Sequence, residues 1–139
     1  MIYCRVAGMG LVTGLVTGLM MKHLLLVAHG SRREASNDEV RRLTAKLRDK
    51  VGARFKGTEC AFLELAEPSI PDALQRCIDH GAEEIVVLPY FLSAGRHVAR
   101  DIPAEVEAKQ KEHPQVRISI KPYFGAADGI TDLLAVMAD

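Results

Sequence analysis

The chain has 139 residues, room for one domain of ordinary size, and its 18 basic and 18 acidic residues leave no net charge at neutral pH. That balance argues against a dedicated nucleic-acid binder, which carries a basic excess, and 48% apolar with 26% charged residues argues against a disordered chain. Three cysteines (Cys4, Cys60, Cys77) form no Cys-x-x-Cys pair and cannot all be bridged, which points to reduced thiols and a cytoplasmic protein.

Residues 1–20 stand apart. They carry one charge, Arg5, four of the chain's eleven glycines, and a Leu-Val-Thr-Gly repeat at 11–14 and 15–18. The uncharged run from Val6 to Met21 is 16 residues, short of the roughly 20 that span a bilayer, and no Ala-x-Ala cleavage site follows it. The expectation is an apolar extension at 1–20, with translation starting at Met20 or Met21, ahead of a domain at 21–139 that has no membrane contact. A signal or anchor and an ordered extra element are the alternatives.

From residue 21 strand and helix patterns alternate. Leu24–Ala28 is a short apolar run, as in a strand buried on both faces. Val40, Leu43, Leu47 and Val51 then mark one face of a helix that Gly52 can end. A second strand fits Thr58–Leu63. Ser69-Ile70-Pro71-Asp72 predicts a helix start with Ser69 as N-cap; Ile70, Ala73, Leu74, Cys77 and Ile78 line its inner face, and Gly81 suits the position past its end. Ile85–Leu88 is a third buried strand, closed by Pro89. Asp101-Ile102-Pro103 opens a third helix running to about His113. Val116–Ile120 alternates apolar and polar residues, which suits an edge strand, and Ile130, Leu133, Leu134 and Met137 mark a last helix. The reading is α/β: a single-domain, parallel four-stranded sheet with flanking helices.

Ligands of such sheets bind outside the carboxyl ends of the strands. Three polar groups fall there: His29-Gly30-Ser31-Arg32-Arg33 after the first strand, Glu64 after the second, and Ser93-Ala94-Gly95-Arg96-His97 in the long loop after the third. Two imidazoles and a carboxylate suit a divalent ion of the iron, cobalt, nickel or zinc kind, and the lack of a cysteine in these loops argues against a soft thiolate site. Each residue also has an ordinary use. His29 alone can cap backbone groups, Gly30-Ser31 can form an anion-binding turn at a helix start, and Glu64 and Glu67 can be solvated. His97 has the fewest such uses; lying between Arg96 and Arg100, it is expected to be held neutral by like charges. His80 and His113 fall at helix C-termini, where a positive ring suits the dipole, and His23 precedes the first strand at the opposite rim. Arg32, Arg33, Arg96 and Arg100 gather on two loops of a neutral protein, which suits an anionic small molecule.

Leu24–Arg32 (LLLVAHGSR), Phe62–Ile70 (FLELAEPSI) and Val86–Pro103 (VVLPYFLSAGRHVARDIP) together resemble the sirohydrochlorin chelatases of the small CbiX and SirB type, in the same order and at fitting spacings from about Met21 to the end. The resemblance implies a chelatase-like fold and a lyase that inserts cobalt or iron, or in some organisms nickel, into sirohydrochlorin on the way to cobalamin, sirohaem or a nickel tetrapyrrole. It implies that His29, His97 and Glu64 are the metal-site and catalytic residues and that Leu92, Ser93, Ala94, Gly95 and Arg96 contact the macrocycle. The ion is then a substrate, with no permanently bound cofactor, and a chain with one such domain implies a homodimer. Three rivals remain: a metal or tetrapyrrole carrier without turnover, a histidine phosphatase, and a flavodoxin-like anion-binding module. The second expects an arginine directly before the histidine where this chain has Ala28.

Overall fold

The computed structural model describes residues 4–6, 9–11 and 20–139. The expectations for 1–20 therefore lie almost wholly outside the described residues; within that stretch β1 (Cys4–Val6) and β2 (Met9–Leu11) pair antiparallel. The domain proper is one parallel sheet of β3 (Lys22–Ala28), β4 (Gly57–Phe62), β5 (Glu84–Pro89) and β6 (Arg117–Ile120), in the order β4-β3-β5-β6. Its helices are α1 (Glu34–Val51), α2 (Ile70–Asp79), α3 (Ile102–Glu112) and α4 (Gly129–Ala138). No helix among the described residues is long and apolar enough to cross a membrane.

Central strands need apolar side chains on both faces, and Leu24 through Ala28 of β3 are all buried. One face, with Leu25, Val27, Ile85 and Val87, packs under α2 and α3 through Ile70, Leu74, Cys77, Ile102 and Val106. Burial there pushes the Cys77 thiol up to about 12, so it stays protonated and inert. Ser69 caps α2 as expected, its hydroxyl accepting the Asp72 N–H at 3.2 Å. Gly81 follows the helix at φ +89°, the left-handed turn that glycine permits. The expected edge position of Arg117–Ile120 is also observed.

Four local expectations need correction. The inner face of α1 carries Asn37 and Thr44, whereas Leu43 of the expected apolar stripe is 37% exposed. Asn37 turns inward because its amide ties down the preceding loop: Oδ1 accepts the Ser31 N–H at 2.9 Å and Nδ2 donates to the Ser31 carbonyl at 2.8 Å. Pro89 does not close β5 from outside but is its last residue, paired with Val27. His23 lies within β3, buried at the amino end of the strand. Asp101 does not open α3, because a π-helical turn from His97 to Asp101 runs directly into that helix.

The order β4-β3-β5-β6 fixes where chemistry can happen. From β3 the chain steps to β4 on one side, then crosses back to β5 on the other. The connections diverge at the carboxyl end of β3, which opens a crevice at that point.

Candidate functional site

His29 is the first residue past β3, and the parallel ladder carries on beyond the strand ends to hold it. The Leu63 N–H donates to the Ala28 carbonyl at 2.9 Å, and the Glu64 N–H donates to the His29 carbonyl at 3.0 Å. His29 and Glu64 thus become neighbours through backbone alone, and their side chains meet, Nε2 to Oε2, at 3.1 Å. Gly30 makes the close approach possible. It turns the chain at φ +96°, and a Cβ there would lie 1.8 Å from the Glu64 carbonyl oxygen. Leu65, just after Glu64, takes φ +67°, a left-handed conformation that costs a non-glycine residue about 1–2 kcal/mol. The His29 Nδ1 lies 2.9 Å from the Gly30 carbonyl oxygen. A carbonyl only accepts, so Nδ1 carries the proton. Nε2 then faces a carboxylate, and a neutral ring would set lone pair against lone pair; a cation, whether proton or metal, resolves that contact.

His97 reaches the same rim from the far side of β3. Its ring centroid lies 4.8 Å from that of His29, edge to face at 63°. It stands at the start of the π-helical turn, whose wide loop is closed by the Ile102 N–H donating to the His97 carbonyl. π-Bulges recur at functional sites because they re-aim side chains within a helix. The charged group bonded to His97 is not an arginine but the Asp101 carboxylate, with Nδ1 to Oδ2 at 2.8 Å. This corrects the expectation that like charges govern His97: the helical spacing brings Asp101 under the ring, while Arg96 and Arg100 point into solvent.

The three donors gather at one rim without forming a closed nest. Among the described residues no three His, Cys, Asp or Glu side chains make a ready ligand cluster. The side chains of His29, Glu64 and His97 are 42%, 53% and 37% exposed, so all three reach solvent at the rim. Glu67 is exposed and only its carbonyl is used, accepting from Arg41 at 3.0 Å. Two donors of the expected anion-binding turn are engaged internally: the Ser31 N–H goes to Asn37 and the Arg33 N–H to the Ser31 hydroxyl at 3.0 Å. Arg32, Arg33, Arg96 and Arg100 are exposed, and none joins the ion pairs formed among the described residues. His80 and His113 end α2 and α3 as expected, away from this rim.

The loop Leu92–Arg96 is fully exposed, with Leu92 at 75%. Its anchor is Gly125, in a short 3₁₀ turn (Phe124–Ala126): the Gly125 N–H donates to the Phe91 carbonyl at 2.9 Å, and a Cβ on Gly125 would lie 1.9 Å from the Leu92 carbonyl oxygen. Beside the loop, at the carboxyl ends of β3 and β5, opens a largely apolar groove of about 460 Å³ lined by Leu26, Pro89, Tyr90, Tyr123 and Phe124.

Residues 23–138 match the CbiX family. The chain belongs to that family. The chloroplastic sirohydrochlorin ferrochelatase of Arabidopsis thaliana is 36% identical over 111 residues, 80% of this chain and 48% of that one. The sirohydrochlorin cobaltochelatase of Sulfolobus acidocaldarius is 31% identical over 116 residues, 84% of this chain and 89% of that one. Among solved structures, the sirohydrochlorin chelatase SirB of Bacillus subtilis subspecies spizizenii, in complex with cobalt, superposes with a TM-score of 0.75 at 28% identity, over 86% of this chain and 50% of SirB. The chain thus spans about half the length of the Arabidopsis protein and of SirB, and most of the Sulfolobus protein.

The CbiX resemblance read from the three motifs is therefore correct as to family and fold. Two residues at this rim escaped the sequence reading. Asp101 fits a helix-opening pattern that masks its spacing of four from His97; Gly125, one of several loop glycines, carries no local signal, since its partner Leu92 is 33 positions away.

Proposed function

We propose that this CbiX-family chain inserts a divalent ion, cobalt or iron, into sirohydrochlorin, as its relatives' names state for them. The observation that carries the reading is the meeting of His29, Glu64 and His97 at the switch point of the sheet. His29 and His97 are the metal ligands and proton acceptors, and Glu64 is the third ligand and proton partner. Two ligand atoms each ~2.1 Å from one ion and as far apart as His29 Nε2 and Glu64 Oε2 subtend about 95° at it, the cis arrangement of an octahedral ion. Nickel suits the same donors and is the variant reading of the metal.

Insertion must remove two pyrrole N–H protons and move the ion from protein ligands to ring nitrogens. An open, exposed set of three donors holds an ion loosely enough to release it, whereas a closed four-ligand site would keep it. An imidazole already facing a carboxylate can accept a ring proton once the ion departs and pass it to Glu64. Leu92–Arg96 and the neighbouring apolar groove form the seat of the macrocycle, and Arg32, Arg33, Arg96 and Arg100 meet its carboxylates.

The working unit is a homodimer built from the domain at 21–139, with 1–20 as an extension outside it. Support comes from α4, where Leu133, Leu134, Val136 and Met137 are 50–73% exposed and no residue is buried. An isolated ten-residue helix is marginal in water, so this apolar face calls for a cover. The free thiols Cys60 and Cys77 agree with a cytoplasmic setting.

The test is anaerobic incubation of the chain with sirohydrochlorin and Co²⁺, Fe²⁺ or Ni²⁺, following the ring's absorption against a protein-free control. Acceleration that disappears in His29→Ala and His97→Ala is expected. Binding of ring and ion without acceleration would instead establish a carrier, and full activity in either variant would refute the assignment.

A further inference from the structure

We propose that Asp101 is the positioning residue of His97: its carboxylate fixes the imidazole in the Nδ1–H form and in place beside His29, leaving Nε2 as the free lone pair. The purpose of this arrangement rests on the metal-holding reading above. Four observations carry it. The Nδ1 to Oδ2 distance is 2.8 Å, the short range of a charge-assisted bond. An ionised carboxylate only accepts, so the ring nitrogen facing it is the one that bears the proton. The pair is built into the backbone, because His97 and Asp101 are the first and last residues of the π-helical turn. Finally, Asp101 precedes a helix with proline near its start, where an aspartate ordinarily caps backbone N–H groups, yet it has helical φ and ψ of −70° and −47° and its side chain makes no cap bond. The carboxylate serves the ring instead of the helix.

His29 reaches the same tautomer by another route, through the Gly30 carbonyl at 2.9 Å. A backbone carbonyl cannot be lost without remaking the loop, whereas Asp101 is a side chain and can be tested alone. A merely structural surface pair at this spacing would still bias the tautomer but would leave the ion's affinity unaffected. An orienting carboxylate behind a ligating histidine, by contrast, is commonly worth 10–100-fold in metal affinity.

The experiment uses the full chain, ¹⁵N-labelled at histidine, with long-range proton–nitrogen correlation above the imidazole titration range to read the tautomer of His97. Calorimetry with Co²⁺ alone reads affinity, and circular dichroism checks the fold. Asp101→Ala is expected to shift His97 toward the Nε2–H form that free imidazole prefers and to weaken Co²⁺ about 10–100-fold with the fold intact. Asp101→Asn, whose amide oxygen still accepts from Nδ1–H, is expected to rescue the tautomer and part of the affinity. An Nε2–H tautomer in the unaltered protein, or a tautomer or affinity unchanged in Asp101→Ala, overturns the proposal. Co²⁺ affinity unchanged in His97→Ala overturns the metal-holding reading beneath it, and with that the purpose given to Asp101, whatever the tautomer shows.

Discussion

Gly30→Ala offers the sharpest test of how the site is assembled. The added methyl would start 1.8 Å from the Glu64 carbonyl oxygen and 3.0 Å from its carbon, so the two loops must part by more than about 1 Å to regain ordinary contact. The bond from the Glu64 N–H to the His29 carbonyl lies in the path of that movement. Losing it costs about 1 kcal/mol, and holding alanine at positive φ costs about 1–3 kcal/mol more. A total loss of roughly 2–4 kcal/mol is expected in urea unfolding at neutral pH. Misplacing a reacting group by about 1 Å costs on the order of 100-fold in rate, so insertion should fall by that much under conditions where the variant stays folded. Gly81→Ala is the control: φ there is +89°, but nothing lies within 4 Å of the added carbon. It should lose only the same positive-φ strain, about 1–3 kcal/mol, without the lost hydrogen bond, and keep its activity. Equal behaviour of the two variants would refute the claim that Gly30 exists to let the His29 loop cross Glu64.

Three further outcomes are expected. Gly125→Ala, whose methyl would meet the Leu92 carbonyl oxygen at 1.9 Å, should raise the KM for sirohydrochlorin more than it lowers kcat; an unchanged KM would separate the 92–96 loop from substrate binding. His23 is buried with neither ring nitrogen hydrogen-bonded, and burial lowers its pKa from 6.5, opposed by Glu59 and aided by His80 and Lys56. The folded chain therefore binds fewer protons than the unfolded one, so stability holds above about pH 6.5 and falls as pH drops below it; His23→Leu should flatten that part of the profile in urea titrations at pH 7.5 and 5.5, and an unaltered slope would count against it. Replacing exposed Leu133 and Met137 of α4 by glutamate should halve the mass seen in sedimentation velocity, whereas a dimer that survives would place the interface elsewhere.

The parts of this molecule legible in the sequence are those set by local rules. Buried β3 reads as an unbroken apolar run, Ser69 and Gly81 bracket α2 by their own chemistry, and alternation marks β6 as an edge. Parallel order then brings His29, Glu64 and His97 to one end of the sheet, because each follows a strand directly or by one loop. What local rules hide is competition. Asp101 satisfies a capping pattern, yet a ring four residues back takes its carboxylate. Asn37 takes a buried place ahead of the apolar stripe of α1 because a loop six residues earlier needs both ends of its amide. Gly125 is required by a contact far away in sequence, which no window of neighbouring residues reports.

The same competition explains why the site is open. Both imidazoles have Nδ1 already engaged, one by a backbone carbonyl and one by a carboxylate, so each can offer an ion only Nε2. Glu64 sits on a left-handed turn next to Leu65 and is more than half exposed. In the proposed reading, two single-point nitrogen donors and one exposed carboxylate would make half of an octahedral shell, and water would supply the rest. An ion held this way could exchange its waters for ring nitrogens before leaving the protein. A fourth protein ligand would remove that stepwise route. Adding one, for example by Ser31→His on the same loop, should therefore tighten Co²⁺ binding while slowing its transfer to sirohydrochlorin; faster transfer with tighter binding would show that release is not what the open geometry serves.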